Sequence, residues 1–217
     1  PPYGIPHLAI DHATVDVALP TGRWRGQAHG ATVFFTESFV DELARISGID
    51  PFTFRMGMLG QRPALARCLE TVTALGGWEG GTAGSGQGIA CCSLRGSHIA
   101  VMAVARPTAD GLTVERIVAA VDAGRILNPA IVRQQIEGGL LFGLAAAVGA
   151  TTRYVRGLAR ARRLGELGLP RLAQSPAIEI ELIDSDRAPG GFEELGVPPV
   201  APAIANALFT MTGERIR

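Results

Sequence analysis

The sequence predicts an α+β fold on three observations. Helix-spaced apolar residues with capping signals fill the first third, two strand-like runs flank a polar turn in the middle, and a strand, a glycine-rich loop and a small-residue helix follow. Residues 8–17 alternate loosely and include β-branched side chains, which predicts a first strand broken by Pro20-Thr21-Gly22. Residues 32–46 place Val33, Phe34, Phe39, Val40, Leu43 and Ile46 at helical spacing, and Gly48 is the stop signal. Asp50 is a good N-cap and Pro51 suits a first helical turn, so a second helix begins there. Residues 63–75 repeat that logic and end at Gly76-Gly77. The glycine-rich run beyond them reads as a linker over 79–88, dividing a strand-plus-helix part (1–78) from a hairpin, helix and strand–loop–helix part (89–217). Residues 99–105 and 112–121 form the expected hairpin around Thr108-Ala109-Asp110-Gly111. Asn128-Pro129 caps a long helix reaching about 148, residues 178–183 alternate as a half-exposed strand, and 198–212 form a helix ended by Gly213. The stretch 153–171 is arginine-rich and shows no period.

Hydrophobic residues make up 47% of the chain and charged ones 18%, enough to bury a sizeable core and too apolar for disorder. Its 20 cations, all arginine, balance 20 carboxylates, so charge gives no reason to expect nucleic acid or an acidic membrane as partner. The arginines at 153–163 have only Tyr154 as an aromatic companion and read as a solvated face. Cys68, Cys91 and Cys92 form no CxxC pair, which argues against a disulfide framework and against a zinc or iron–sulfur site built by this chain alone. His7, His12, His29 and His98 are scattered, with no i, i+4 pair. The most apolar stretch, 140–148, is far too short to span a bilayer.

Three places suggest chemistry. The loop Pro189-Gly190-Gly191-Phe192-Glu193-Glu194-Leu195-Gly196 joins a strand to a helix. A carboxylate held there beside Phe192 and Leu195 could act as a general base, although the spacing alone favours a surface turn with two solvated glutamates. On the long helix, Gln135 could offer its amide to a ligand oxygen. Gly138, Gly139 and Gly143 each cost roughly 1 kcal/mol in a helix interior, a cost repaid either by close packing or by close approach of a cofactor. In Thr21-Gly22-Arg23-Trp24-Arg25-Gly26-Gln27, the planar fork of Arg25 could hold a carbonyl or carboxylate, or could simply face solvent. The loop Gly84-Ser85-Gly86-Gln87-Gly88 lacks a phosphate-binding lysine and does not fit GxGxxG, so it reads as linker.

The order of these segments resembles the molybdopterin-binding large subunit of the xanthine dehydrogenase/aldehyde oxidase family, most nearly the isoquinoline 1-oxidoreductase type. Residues 120–129 (AVDAGRILNP) are similar to AVDCGxxVNP, and 135–144 to QxEGGxxFGL. Residues 189–206 are similar to PGGVGEPGVPPVAPALANA, 212–217 to TGKRIR, and 37–43 with 50–55 to ESFIDELA and DPLEFR. Glu193 and Leu195 stand where the family has glycine and proline around its glutamate, Ala123 where it has cysteine, and Cys92 where isoquinoline-type members often have histidine.

The resemblance implies the C-terminal part of a molybdenum-hydroxylase large subunit, with helices packed on a mixed or antiparallel sheet. It implies oxidation of aldehydes or N-heterocycles with water as the oxygen source, and a molybdenum–molybdopterin cofactor in the cytosine dinucleotide form. Iron–sulfur clusters would lie on a small partner subunit. Glu194 matches the catalytic glutamate, Gln135 the glutamine near the cofactor and Arg25 a substrate-steering arginine; no side chain of this chain need ligate the metal. The expected partners are the remaining part of the large subunit, the iron–sulfur subunit and a small-molecule substrate, and the isolated chain is expected to be inactive. The alternative is a non-catalytic, truncated or degenerate relative serving as a scaffold or assembly module.

Overall fold

The computed structural model describes residues 1–17, 22–109 and 111–216. In chain order the elements are α1 (His29–Ile46), α2 (Pro51–Met58), α3 (Pro63–Gly76), β1 (Gln87–Leu94), β2 (Ser97–Thr108), β3 (Gly111–Asp122), α4 (Pro129–Ala147), the short pair β4 (Tyr154–Val155) and β5 (Leu158–Ala159), β6 (Ala177–Leu182) and α5 (Val200–Thr212). The four long strands make one sheet in the order β1-β2-β3-β6. It is antiparallel except where β3 runs parallel to β6, so the expected mixed α+β fold is observed. A parallel pair needs a crossover, and α4 lies within it.

Helices cover both faces. Ile89, Cys91, Ala100, Met102 and Val118 pack against Leu65, Leu69 and Val72 of α3, and Ala90, Val101, Ile117 and Ala119 against Ile136 and Leu140 of α4 and Ile204 of α5. This double covering explains why β1 escapes detection in the sequence. Its residues are buried on both faces, leaving no polar alternation to read. Gln87 and Gly88, expected in the linker, open this strand, and a Cβ on Gly88 would collide with the α5 backbone at Ala203 and Ala207.

Residues 8–17 are not a strand. They run irregularly, with Ile10 72% and Val15 73% exposed, because no sheet edge pairs with them. Pro20, Thr21, Asp110 and Arg217 lie outside the described residues, and with them the first break, the tip of the hairpin turn and the last residue of the ending. The caps at Asn128 and Asp50 form as expected, each side chain accepting a backbone N–H three residues on. The 151–175 stretch is exposed almost throughout and holds only the β4–β5 pair and two short 3-10 turns.

Helix α1 buries Val40 but turns much of the apolar row of its sequence outward. Phe35, Phe39, Leu43 and Ile46 are exposed, whereas Glu37 and Asp41 are buried. The acids face inward because cations meet them there. Arg55, fully buried, places Nε 3.0 Å from Glu37 Oε2 and Nη1 3.9 Å from Asp41 Oδ1, and Arg215 Nη2 lies 2.5 Å from Asp41 Oδ2. Glu37 also accepts from Tyr3 Oη at 2.5 Å and from the backbone N–H of Cys91 at 3.0 Å. Burial, with Cys91 and Glu37 nearby, pushes the Tyr3 hydroxyl well above its ordinary range.

Candidate functional site

The loop after β6 is held along its length before it reaches the two glutamates. Arg125 N–H donates to Arg187 O, Gly190 N–H to Ala123 O and Gly191 N–H to Arg95 O. Arg187 Nη2 binds Asp122 Oδ1 at 2.7 Å, and Gly124 N–H donates to the same oxygen at 3.0 Å. Burial alone would raise the Asp122 carboxyl, but the bonds from Arg187 and Gly124 outweigh it and hold the carboxyl below its usual value.

Past Gly191 the chain turns over α4. Leu195 is fully buried, and Gly196 sits directly on Gly139, where a Cβ on either would stand 3.0 Å or less from backbone atoms of the other helix or loop. A Cβ on Gly143 would lie 2.6 Å from Val197 O. The helix-interior glycines 139 and 143 are therefore accounted for by packing of this loop. Gly138 differs: the nearest atom to its would-be Cβ is Arg25 Nη1 at 3.6 Å.

The structure brings the three expected site residues into one neighbourhood from three separate elements. Arg25 donates from Nε and Nη2 to Glu193 O (2.9 and 2.6 Å), and from Nη2 to Gln135 O (3.1 Å) and Gln135 Oε1 (3.2 Å). Its turn approaches closely because Gly26, at φ +90°, has no side chain to strike Val197 Cγ1. Gln135 is exposed on α4 and Arg25 half-buried. The Glu194 side chain is only 15% exposed and turns toward the protein, whereas that of Glu193 is 49% exposed and turns to solvent.

Two residues that sequence reasoning passed over hold Glu194. Gln27 Nε2 donates to both carboxylate oxygens at 3.1 Å, and Arg95 Nη2 lies 3.4 Å from Oε2. Arg95 also pairs with Glu193 Oε1 at 2.6 Å. No local pattern marks these residues, since Gln27 meets its partner across 167 positions of chain. Beside them lies a hollow of ≈ 220 Å³ lined by Trp24, Arg25, Gln27, Val197 and Pro198. A larger cleft of ≈ 540 Å³ opens between Pro1, Pro2 and Ile10, the α1 residues His29 and Thr32, and Cys91 to Ser93 of β1.

Among the described residues no three His, Cys, Asp or Glu side chains gather as a cation site. Arg25 Nη1 and Gln135 Nε2 have no hydrogen-bond partner among those residues, so the neighbourhood offers two spare N–H donors next to a carboxylate. That donor set fits a heterocyclic cofactor rich in acceptor atoms better than a bare metal ion.

Comparison with known proteins places these features in context. Residues 60–176 match the family described as a molybdopterin cofactor-binding domain. The chain is 30% identical over 221 residues to the beta chain of isoquinoline 1-oxidoreductase from Brevundimonas diminuta, covering 99% of this chain and 28% of that protein. It is 26% identical over 240 residues to a nicotinate dehydrogenase subunit of Pseudomonas putida, covering 100% of this chain and 20% of that protein. The chain thus spans less than a third of the length of these curated relatives. The aldehyde oxidoreductase of Desulfovibrio gigas shares the fold, with a TM-score of 0.75 at 14% identity over 89% of this chain and 40% of that one.

Proposed function

Since this chain belongs to the molybdopterin cofactor-binding domain family, we propose that it forms the C-terminal part of the large subunit of a molybdenum-dependent hydroxylase. That enzyme oxidises aldehydes or N-heterocycles with water as the oxygen source. The observation that carries this reading is that one turn, Arg25 with Gln27, reaches Gln135 on α4, the Glu193 carbonyl and the Glu194 carboxylate. The names of the relatives support the substrate class: isoquinoline and nicotinate are both N-heterocycles.

Each residue has a task its surroundings suit. Glu194 is the proton acceptor, and the two Gln27 bonds fix the plane of its carboxylate. Gln135, with Oε1 engaged by Arg25, presents its Nε2 donors to the pterin cofactor. Arg25 staples loop to helix through Nε and Nη2 and keeps Nη1 for the substrate. When bound, the pterin-held molybdenum, in the cytosine dinucleotide form, supplies the two-electron redox chemistry. Iron–sulfur clusters on a small partner subunit would carry the electrons away. Of the two departures beside the base, Leu195 fills the core, and Glu193, half-exposed, pairs with the same Arg95 that reaches Glu194.

The rest of the large subunit completes the enzyme, and the isolated chain is inactive. The exposed row Phe35, Phe39, Leu43 and Ile46 on α1 is the kind of apolar surface that such a remainder would cover. The test is Glu194→Gln in the complete enzyme. Turnover should fall by about 10²–10⁴-fold, the range for losing a general base, with molybdenum and pterin content unchanged. Wild-type turnover in that variant overturns the assignment. A native complex lacking stoichiometric molybdenum and pterin would instead favour a scaffold or assembly module.

A further inference from the structure

Three non-glycine residues have left-handed backbone among the described residues: Gln27 (φ +48°), Arg95 (φ +50°) and Arg156 (φ +51°). Side chains other than Gly, Asn and Asp enter this region at a cost, and such strain gathers at functional sites. Two of the three, from elements far apart in the chain, put their polar atoms on the same carboxylate, Glu194. Arg95 sits at the tip of the two-residue turn joining β1 to β2, where Leu94 pairs with Ser97 and Gly96 follows at φ +79°. The glutamate loop is bound to that tip: Gly191 N–H donates to Arg95 O, Gly190 packs on Gly96 and Ser97, and Arg187 Nη1 binds Gly96 O at 2.9 Å.

We propose that Arg95 is a positioning residue for the reaction, holding the Glu194 carboxylate together with Gln27 while Glu193 competes for the same guanidinium. The proposal rests on the reading of Glu194 as the base. Arg95 grips Glu193 at 2.6 Å and Glu194 at 3.4 Å, so the exposed glutamate takes the shorter bond. Arg25 anchors the same segment from the opposite side through the Glu193 carbonyl. Of the charged groups near this loop among the described residues, Arg95 alone pairs with the Glu194 carboxylate, Glu193 shares that guanidinium, Arg25 binds the Glu193 carbonyl, and Arg187 binds Gly96 O beside Arg95. Removing Arg95 takes a cation from the carboxylate, whereas removing the Glu193 charge takes away an anion and frees Arg95 for Glu194. The two changes act in opposite directions on the protonation of one group.

The experiment is the pH dependence of kcat/KM in the complete molybdenum enzyme for Arg95→Asn, Arg95→Lys, Glu193→Gln and Glu194→Gln. Asparagine tolerates the left-handed backbone, so the first variant removes the charge and keeps the turn. The acid limb should move up by about one pH unit in Arg95→Asn, a modest shift for a partly solvated pair, return toward wild type in Arg95→Lys, and move down in Glu193→Gln. Molybdenum content and melting temperature should remain those of the wild type. An unmoved acid limb in Arg95→Asn, or shifts of the same sign in Arg95→Asn and Glu193→Gln, overturns the proposal while Glu194→Gln remains inactive. Activity in Glu194→Gln sinks the base assignment instead, and with it the premise.

Discussion

Gly143 of α4 lies directly beneath the carbonyl of Val197, so close that a Cβ on the glycine would stand 2.6 Å from that oxygen. Alanine in a helix interior normally stabilises by about 1 kcal/mol relative to glycine. Here the obstacle is backbone and cannot rotate away, so Gly143→Ala should destabilise the protein by about 1–3 kcal/mol. Gly138→Ala, one turn earlier, meets only Arg25 Nη1 at 3.6 Å and should be neutral or stabilising by up to about 1 kcal/mol. Urea unfolding of the pair checks this; equal effects would show that loop and helix do not pack as described.

The Arg55–Glu37 pair predicts a large coupling. Arg55→Met would leave Glu37 buried without its cation, while Asp41 keeps Arg215 and Arg45, at a cost of about 3–5 kcal/mol. Glu37→Gln keeps one acceptor oxygen for Cys91 N–H and Arg55 Nε, its amide NH2 can donate to Tyr3 Oη, and it should cost less. A double-mutant cycle should return a coupling above about 1 kcal/mol, and additive losses would contradict a direct pair.

Acid should weaken the anchor at Asp122. Its folded carboxyl titrates below the unfolded value of about 3.9, so its contribution is complete above that value and disappears as pH falls through the folded one. Asp122→Asn removes a charge-assisted bond to Arg187 and should cost about 1–3 kcal/mol at pH 7. The stability gap between wild type and variant should then narrow below about pH 4. A gap that stays constant down through the acid range would rule out this linkage.

Cys68 should resist alkylation. Burial pushes its thiol up to about 12, leaving almost no thiolate near neutral pH. With Cys91 and Cys92 also buried, a thiol reagent should find no reactive group in the native protein and three after denaturation. Rapid native labelling at Cys68 would show that the packing of α3 on the sheet opens readily.

The sequence displays what is encoded locally. The caps Asp50-Pro51 and Asn128-Pro129 mark helix starts because the accepting side chain and the donating backbone N–H lie three residues apart. β1 is silent because both of its faces are buried, and residues 8–17 mislead because their alternation has no neighbouring strand to meet. The inward turn of the α1 acids is equally hidden, since Glu37 and Asp41 become core residues only once Arg55 and Arg215 arrive. At the site, spacing alone leaves Arg25, Gln135 and Glu194 as ordinary surface groups, and family resemblance singles them out. Arg95 and Gln27 stay invisible to both, because their roles depend on contacts with residues distant in the chain.

The acids of α1 also govern when the chain can finish folding. Arg215, which meets Asp41, is synthesised 174 residues after it, and Asn206, which donates to Glu37 O, comes 169 residues after Glu37. Until α5 is made, Glu37 and Asp41 therefore have Arg55 beside them but not Asn206 or Arg215. Closure of the core around these acids is therefore a late event that follows emergence of α5.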